Sequence, residues 1–501
     1  MDNSVILRRL IWKDVVTIRP LFFVIAGSVI VFNLLCRILW PESHAMESWA
    51  TALWLVLPHV ACLGSAAMLI GSEEDGRTMD WLRTLPVSWT QVAASKFLVA
   101  FANVIACWAV ASIGFFLIRQ TSPTGFPLSF ENWRPIVLAY GFFSCLMLTL
   151  GFCLAYAIRS SLIGLILLLP LTFLVTTMAT WLLRPLEILG DEFALFLGGL
   201  SVLVVCFVVH LLLARRRMTS PAAALGSKAL ASLPVQGGPR ISSLPLHRQP
   251  SQIASLLWQQ FRQTSVLCVT LLALSVFLGL IFSGVERTSP FGVAGFVNGL
   301  ISMTPVFILI FASWFGAIAF YGDTQRRRCV FFADRGISPT QVWWTRMLPP
   351  TIAFIIFTAS IAFIMQILPN FDLQRVFGNP PLHFIVVACV LFAYGQLASQ
   401  WIDRPLLAFL AAPAICFTSL SPFFYVAEVA HASLYVMILV VPVLLFATWI
   451  LTKSWLENRD RTAYTIKLVL YTGLAVLLPC LWVIATNPTH FRLSAIVGLM
   501  P

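Results

Sequence analysis

The side chains best placed to do chemistry in this sequence are charged and gathered in two polar stretches. The first runs Glu73, Glu74, Asp75, Arg77 and Thr78, and the second holds Asp323, Arg326, Arg327, Arg328, Asp334 and Arg335. Acids placed before and early in a helix suit the positive end of its dipole, so the chemistry on offer is charge and docking. Catalytic constellations are missing elsewhere in the sequence. No GxxxxGK[ST] run occurs to cradle nucleotide phosphates, and the 11 cysteines form no CxxC pair. Acids elsewhere, such as Glu42, Glu47, Glu131 and Glu286, are scattered singly, which gives no metal triad.

The elements that must position these charges follow from composition. The 501 residues are 59% apolar and 10% charged, with a mean hydropathy of +0.90. A soluble domain has roughly 25% charged residues, so both a soluble and a disordered protein are excluded. The chain reads as an all-α polytopic membrane protein, because only a helix satisfies its own backbone in hydrocarbon.

A spanning helix needs about 20 apolar residues, and thirteen stretches qualify. They lie near 20–40, 50–71, 97–118, 135–158, 160–183, 193–213, 264–284, 295–320, 348–368, 382–401, 405–425, 433–452 and 464–486. Only Arg37 and Lys467 place a charge within these limits, each near an end where a long side chain can snorkel. Counting Lys and Arg on alternating sides puts 25 of 32 on the side of the N-terminus. The positive-inside rule makes that side cytoplasmic and puts the C-terminal tail outside, as expected for a cell-membrane protein. The net charge of +12 is thereby a topology signal, and nucleic acid is dropped as a partner. The cysteines read as small buried hydrophobes.

Internal similarity divides the chain. Ser88-Trp89-Thr90-Gln91-Val92 recurs as Ser338-Pro339-Thr340-Gln341-Val342, 250 positions on, and at the same offset Lys96 meets Arg346 and Glu73 meets Asp323. Leu10-Ile11-Trp12-Lys13 recurs as Leu256-Leu257-Trp258-Gln259 at an offset of 246. Residues 1–213 and 251–452 are therefore expected to be two six-span units of the same orientation, a pseudo-dimer with a pathway between its halves. Residues 214–250 read as a flexible linker, and 453–501 as an extra span with an external tail. Before the first span, Leu7, Ile11, Val15 and Ile18 share one helical face, as in a helix lying in the headgroup layer or in the inner end of an extended first span.

Each long loop holds its own helix signals. Met79, Leu82 and Leu85 share a face in the first, and Pro86 stops that helix. Ser88 with Gln91, and Ser338 with Pro339 and Gln341, are capping boxes for the spans that follow. The apolar face is open either to a cytoplasmic partner or to the protein's own inner rim.

The run from Glu73 to Lys96, with its acids, Thr78 and Leu82-Arg83-Thr84-Leu85-Pro86-Val87-Ser88, resembles the coupling-helix region of type 2 ATP-binding-cassette (ABC) transporter permeases. The resemblance implies two half-permeases in one chain, each with an N-terminal elbow helix, six spans and a coupling helix between spans two and three. It implies the membrane subunit of an ATP-driven exporter, without an ATPase site of its own. A separate cytoplasmic ABC ATPase, as a dimer, would hold ATP and Mg, and this chain would need no cofactor. Two departures stand out. Arg77 separates Gly76 from Thr78, and the second loop has Arg326-Arg327-Arg328 and Phe331 to Gly336 in its middle.

The competing reading is a secondary transporter of the major facilitator type, also built from two parallel six-span repeats. Gly71, Asp75 and Arg77 hint at it. Its ion coupling needs buried carboxylates, which the spans lack, and its loops are not long and helical. His59, Asn103, His210, Asn298, Gln366, Gln396 and Gln400 read as interhelical hydrogen-bonders or interfacial residues. A polytopic membrane enzyme would need the clustered acids or metal triad already found missing. Substrate identity is not written in the sequence.

Overall fold

A computed structural model describes residues 3–39, 58–71, 73, 82, 87–121, 130–158, 160–188, 192–219, 252–284, 304–321, 323, 337–367, 380–429, 433–457 and 461–486. Among them every regular element is a helix. In chain order these are α1 (Asn3–Leu39), α2 (Pro58–Gly71), α3 (Trp89–Thr121), α4 (Phe130–Ala157), α5 (Ser161–Ile188), α6 (Glu192–Thr219) and α7 (Gln252–Gly284). They continue with α8 (Thr304–Ala317), α9 (Pro339–Ile367), α10 (Pro380–Trp401), α11 (Pro405–Val429), α12 (Leu434–Glu457) and α13 (Arg461–Thr486).

A helix stands at each of the thirteen expected spans. Ten are long and apolar enough to cross a membrane, and Pro58–Gly71, Ser161–Thr176 and Ile308–Ala317 are shorter apolar stretches. Their outer faces present Leu, Ile, Val and Phe, as on α6, where Leu200, Val204, Val208 and Leu212 are exposed. In water that surface would be unstable, whereas a bilayer satisfies it.

Of the two readings of the segment before the first span, the structure describes the second, the inner end of an extended first helix. Residues 3–39 form one helix, with Pro20 inside it. Its buried stripe is Leu10, Asp14, Ile18, Leu21, Ile25 and Val29, whereas Val15 is exposed. The stripe steps by three and four residues and so stays on one side of the helix. Trp12 and its counterpart Trp258 are both exposed, at 69% and 66%. Helix α6 also runs past residue 213 to Thr219, so the start of the expected linker is helical.

Within each half the second helix packs on the fourth and the first on the third, and the halves meet reciprocally: α1 lies against α11, and α7 against α5. Helix α13 packs on α11 and α12. Both capping boxes are formed. Ser88 Oγ accepts from Gln91 N at 3.3 Å while Gln91 Oε1 accepts from Ser88 N at 3.1 Å, and Ser338 and Gln341 repeat the exchange at 3.3 Å each way. The caps fix where α3 and α9 begin, and thus where Lys96 and Arg346 stand two turns later.

Candidate functional site

The charged residues that the structure brings together lie at the mouth of each long loop, where α2 or α8 ends. Helix α2 ends in a π-helical turn, Ala67–Gly71. Widening a helix in this way releases carbonyls from the regular ladder, and Leu69 O turns to accept a hydrogen bond from Lys96 Nζ at 2.8 Å. Gly71 sits in this turn because a Cβ there would collide with Ser161 at the start of α5.

Lys96 also lies 2.8 Å from Glu73 Oε2 and 3.2 Å from Asp14 Oδ1. The ammonium has three protons and meets three oxygens, one from each neighbouring segment. Asp14 Oδ2 accepts from Ser95 Oγ at 2.5 Å, and Lys13 pairs with Glu73. Lys96 and Asp14 are almost wholly buried, at 1% and 2% exposure, and Lys13 is open to solvent at 34%. Removing an ion from water costs several kcal/mol unless a counter-charge and hydrogen bonds replace the lost hydration. Two cations and two carboxylates supply that here and leave the group neutral. Helix α1, the mouth of the loop and helix α3 are joined in one ionic junction.

The second half repeats it with different groups. Arg346 grips Asp323 with Nε–Oδ2 at 2.6 Å and Nη2–Oδ1 at 3.0 Å, and its Nη1 donates to Leu256 O on α7 at 3.2 Å. Gln260, which stands where Asp14 does, donates from Nε2 to Ala319 O at 2.9 Å. Residues 318–320 form tight turns, with Ala319 N bonded to Gly316 O and Asp323 N to Phe320 O. The residues paired by the 250-position offset, Glu73 with Asp323 and Lys96 with Arg346, therefore make equivalent ion pairs. The second junction lacks the extra charge pair of the first, with Gln259 and Gln260 standing where Lys13 and Asp14 do.

Among the expected loop residues, Glu73 and Asp323 lie in these junctions. Leu82, expected on a face open to a partner or to the inner rim, is buried at 1% and belongs to the protein's own core. An apolar side chain at that spacing is covered by whatever apolar surface lies nearest, here the chain itself. Glu74, Asp75, Arg77, Thr78, Met79, Leu85, Pro86, Arg326, Arg327, Arg328, Asp334 and Arg335 lie outside the described residues. Asp14, Ser95 and Gln260 were missed by sequence reasoning. The available signal was the alignment of Asp14 with Gln260, two polar residues at the same place in otherwise apolar stripes.

Four of the polar groups expected to bond between helices do so: His59 with Ser144, Asn103 with Ser65, Gln396 with Thr448, and Gln400 with Thr452. Gln366 is exposed, and Asn298 lies outside the described residues. His210 differs. It is fully buried among Phe97, Phe152, Tyr156 and Phe207, and neither ring nitrogen has a hydrogen-bond partner among the described residues. No group of three or more His, Cys, Asp or Glu among the described residues is arranged to hold a metal ion.

Paired and neutralised charges at one end of an apolar bundle hold helices in register and offer no nucleophile. Comparison with known families agrees with a transport role. Residues 8–178 match the family model described as ABC-2 family transporter protein, a stretch that contains the whole first junction. No curated protein and no solved structure matches the chain. The protein is thus a multi-pass membrane protein whose residues 8–178 are similar to the ABC-2 transporter family.

Proposed function

We propose that this chain is the membrane-spanning subunit of an ATP-driven exporter. A separate cytoplasmic ATPase dimer would hydrolyse ATP, hold the Mg, and push on the loops 73–96 and 323–346. The observation that supports this most directly is the ionic junction. The first residue of the loop, Glu73, is tied through Lys96 to α3 and through Lys13 to α1. A displacement of the loop therefore cannot leave those helices behind without separating buried charges, which costs several kcal/mol. The N-terminus is cytoplasmic and the tail after α13 external in this reading, and the membrane is the cell membrane. The seam between the halves offers α1 against α11 and α5 against α7.

The test is transport by the purified chain together with an ABC ATPase sought in the adjacent reading frame. Export that requires ATP and survives collapse of the proton gradient is expected. Movement that follows the gradient with no ATP requirement would overturn the reading in favour of a secondary transporter.

A further inference from the structure

We infer that the two halves are mechanically unequal, the second being the fixed frame of the bundle and the first the part that moves. This deepens the transport reading and depends on it for what drives the motion, though not for the inequality itself.

Helix α4 ends at Ala157 and α5 starts at Ser161; α10 ends at Trp401 and α11 starts at Pro405, in each case 244 positions later. Gly151 thus corresponds to Gly395, Phe152 to Gln396 and Tyr156 to Gln400. On the sixth helices, the buried positions Cys206, His210 and Ala214 match Leu444, Thr448 and Thr452.

The crossing of the second and fourth helices differs first. In the second half Gly316 and Gly395 face each other, and a Cβ on either would strike backbone of the opposite helix at Phe392 O or Ser313 O. Two backbones in contact leave no side chain to rotate and allow Cα–H···O contacts. In the first half Ala66 replaces Gly316, and a Cβ on Gly151 would meet the Ala66 Cβ at 3.3 Å. Beside that crossing lies a small cavity of about 10 Å³ lined by Leu63, Ala67, Gly151, Ala155, Gly164 and Leu168 among others.

The fourth and sixth helices differ in the same sense. In the second half Gln396 Nε2 donates to Thr448 Oγ1 at 2.6 Å, and Gln400 Nε2 to Thr452 Oγ1 at 3.0 Å and Thr448 O at 3.2 Å. Trp343 from α9 and Tyr464 from α13 join this network. In the first half the same places hold Phe152, Tyr156 and His210, which meet as rings 5.2–5.7 Å apart with no hydrogen bond between them. Directed bonds fix register, whereas ring faces tolerate sliding. The first half does have interhelical hydrogen bonds beyond its junction, but Asn103–Ser65, Trp108–Ser144 and Ser144–His59 run 3.3–3.4 Å. One between its fourth and sixth helices comes from a weak thiol donor, Cys153 Sγ to Cys206 O at 3.5 Å.

The junctions and the fifth helices complete the pattern. Arg346 holds Asp323 by a two-pronged fork, while Lys96 is a point charge that can turn among its partners. Trp314 Nε1 binds Phe409 O on α11 at 2.9 Å, and α13 backs α11 from another side. The position equivalent to Trp314 is Gly64, which has no side chain to bond with.

Hydrogen–deuterium exchange on the full chain in lipid nanodiscs tests this without any substitution. Segments 62–71, 151–158 and 206–214 are expected to exchange about tenfold faster than their counterparts 312–321, 395–402 and 444–452. Equal protection, or faster exchange in the second half, overturns the inference. Adding the adjacent ATPase with ATP is expected to change exchange in the first half alone, and a change confined to the second half also overturns it. If nucleotide changes neither half, the transport reading is what fails, and the inequality stands or falls on the exchange measured without nucleotide.

Discussion

Asp14 accepts a hydrogen bond from Lys96 Nζ at 3.2 Å although 82 positions separate them, and both side chains are buried. Substituting one partner strands the other. Asp14→Ala is therefore expected to destabilise the protein by about 3–5 kcal/mol, Asp14→Asn by less, and the double change Asp14→Leu with Lys96→Met by less than the two single changes added together. Thermal unfolding in detergent with a double-mutant cycle measures this; additive effects would mean the pair is not coupled.

The Arg346 fork should not be replaceable by lysine. Arg346→Lys gives up the paired bonds to Asp323 and the bond to Leu256 O, with an expected loss of about 1.5–3 kcal/mol. Because the site is buried, the difference from wild type should hardly change between low and high salt, whereas a surface pair would be screened. Unfolding at two ionic strengths decides the matter.

Thr448 and His210 occupy equivalent places with opposite hydrogen-bonding status, so they should respond oppositely to loss of polarity. Thr448→Val strands Gln396 and Trp343 and is expected to cost about 1–3 kcal/mol. His210→Phe removes a buried polar ring without partners and should be neutral or stabilising. Melting temperatures that fall equally in both variants would contradict the described environments.

The capping boxes give a fourth expectation. Ser88→Ala and Ser338→Ala should each cost about 0.5–2 kcal/mol, with the Gly variants milder by most of that amount. Amide exchange in the first turns of α3 and α9 should rise with the Ala variants; unchanged exchange would show that neighbouring packing, not the cap, sets those helix starts.

Some of this was legible in sequence for a physical reason. A capping box is written in four adjacent residues, and apolar length alone places a span, so α3, α9 and most helix positions could be read directly. The offset pairing Glu73 with Asp323 was also visible, since charges are rare here and two at matching places stand out. Asp14 was not, because an acid beside Lys13 in a mixed segment looks solvated, and its burial depends on Lys96 far along the chain. Leu82 kept the same face in sequence whichever surface covered it. The contact of Gly316 with Gly395 had no sequence signal, since each glycine sits singly in an apolar run and only packing shows that they meet.

The spacing between matched landmarks adds a last consequence. Glu73 to Lys96 and Asp323 to Arg346 both span 23 positions, and Ala157 to Ser161 and Trp401 to Pro405 both span 4. The stretches that turn at the opposite end disagree: 59 against 63 from Asp14 to Glu73 and Gln260 to Asp323, 61 against 55 from Lys96 to Ala157 and Arg346 to Trp401, and 49 against 43 from Ser161 to His210 and Pro405 to Thr448. Residues have thus been gained or lost between the copies at one pole only. The pole of the ionic junctions keeps its chain lengths from one copy to the other, while the other pole does not.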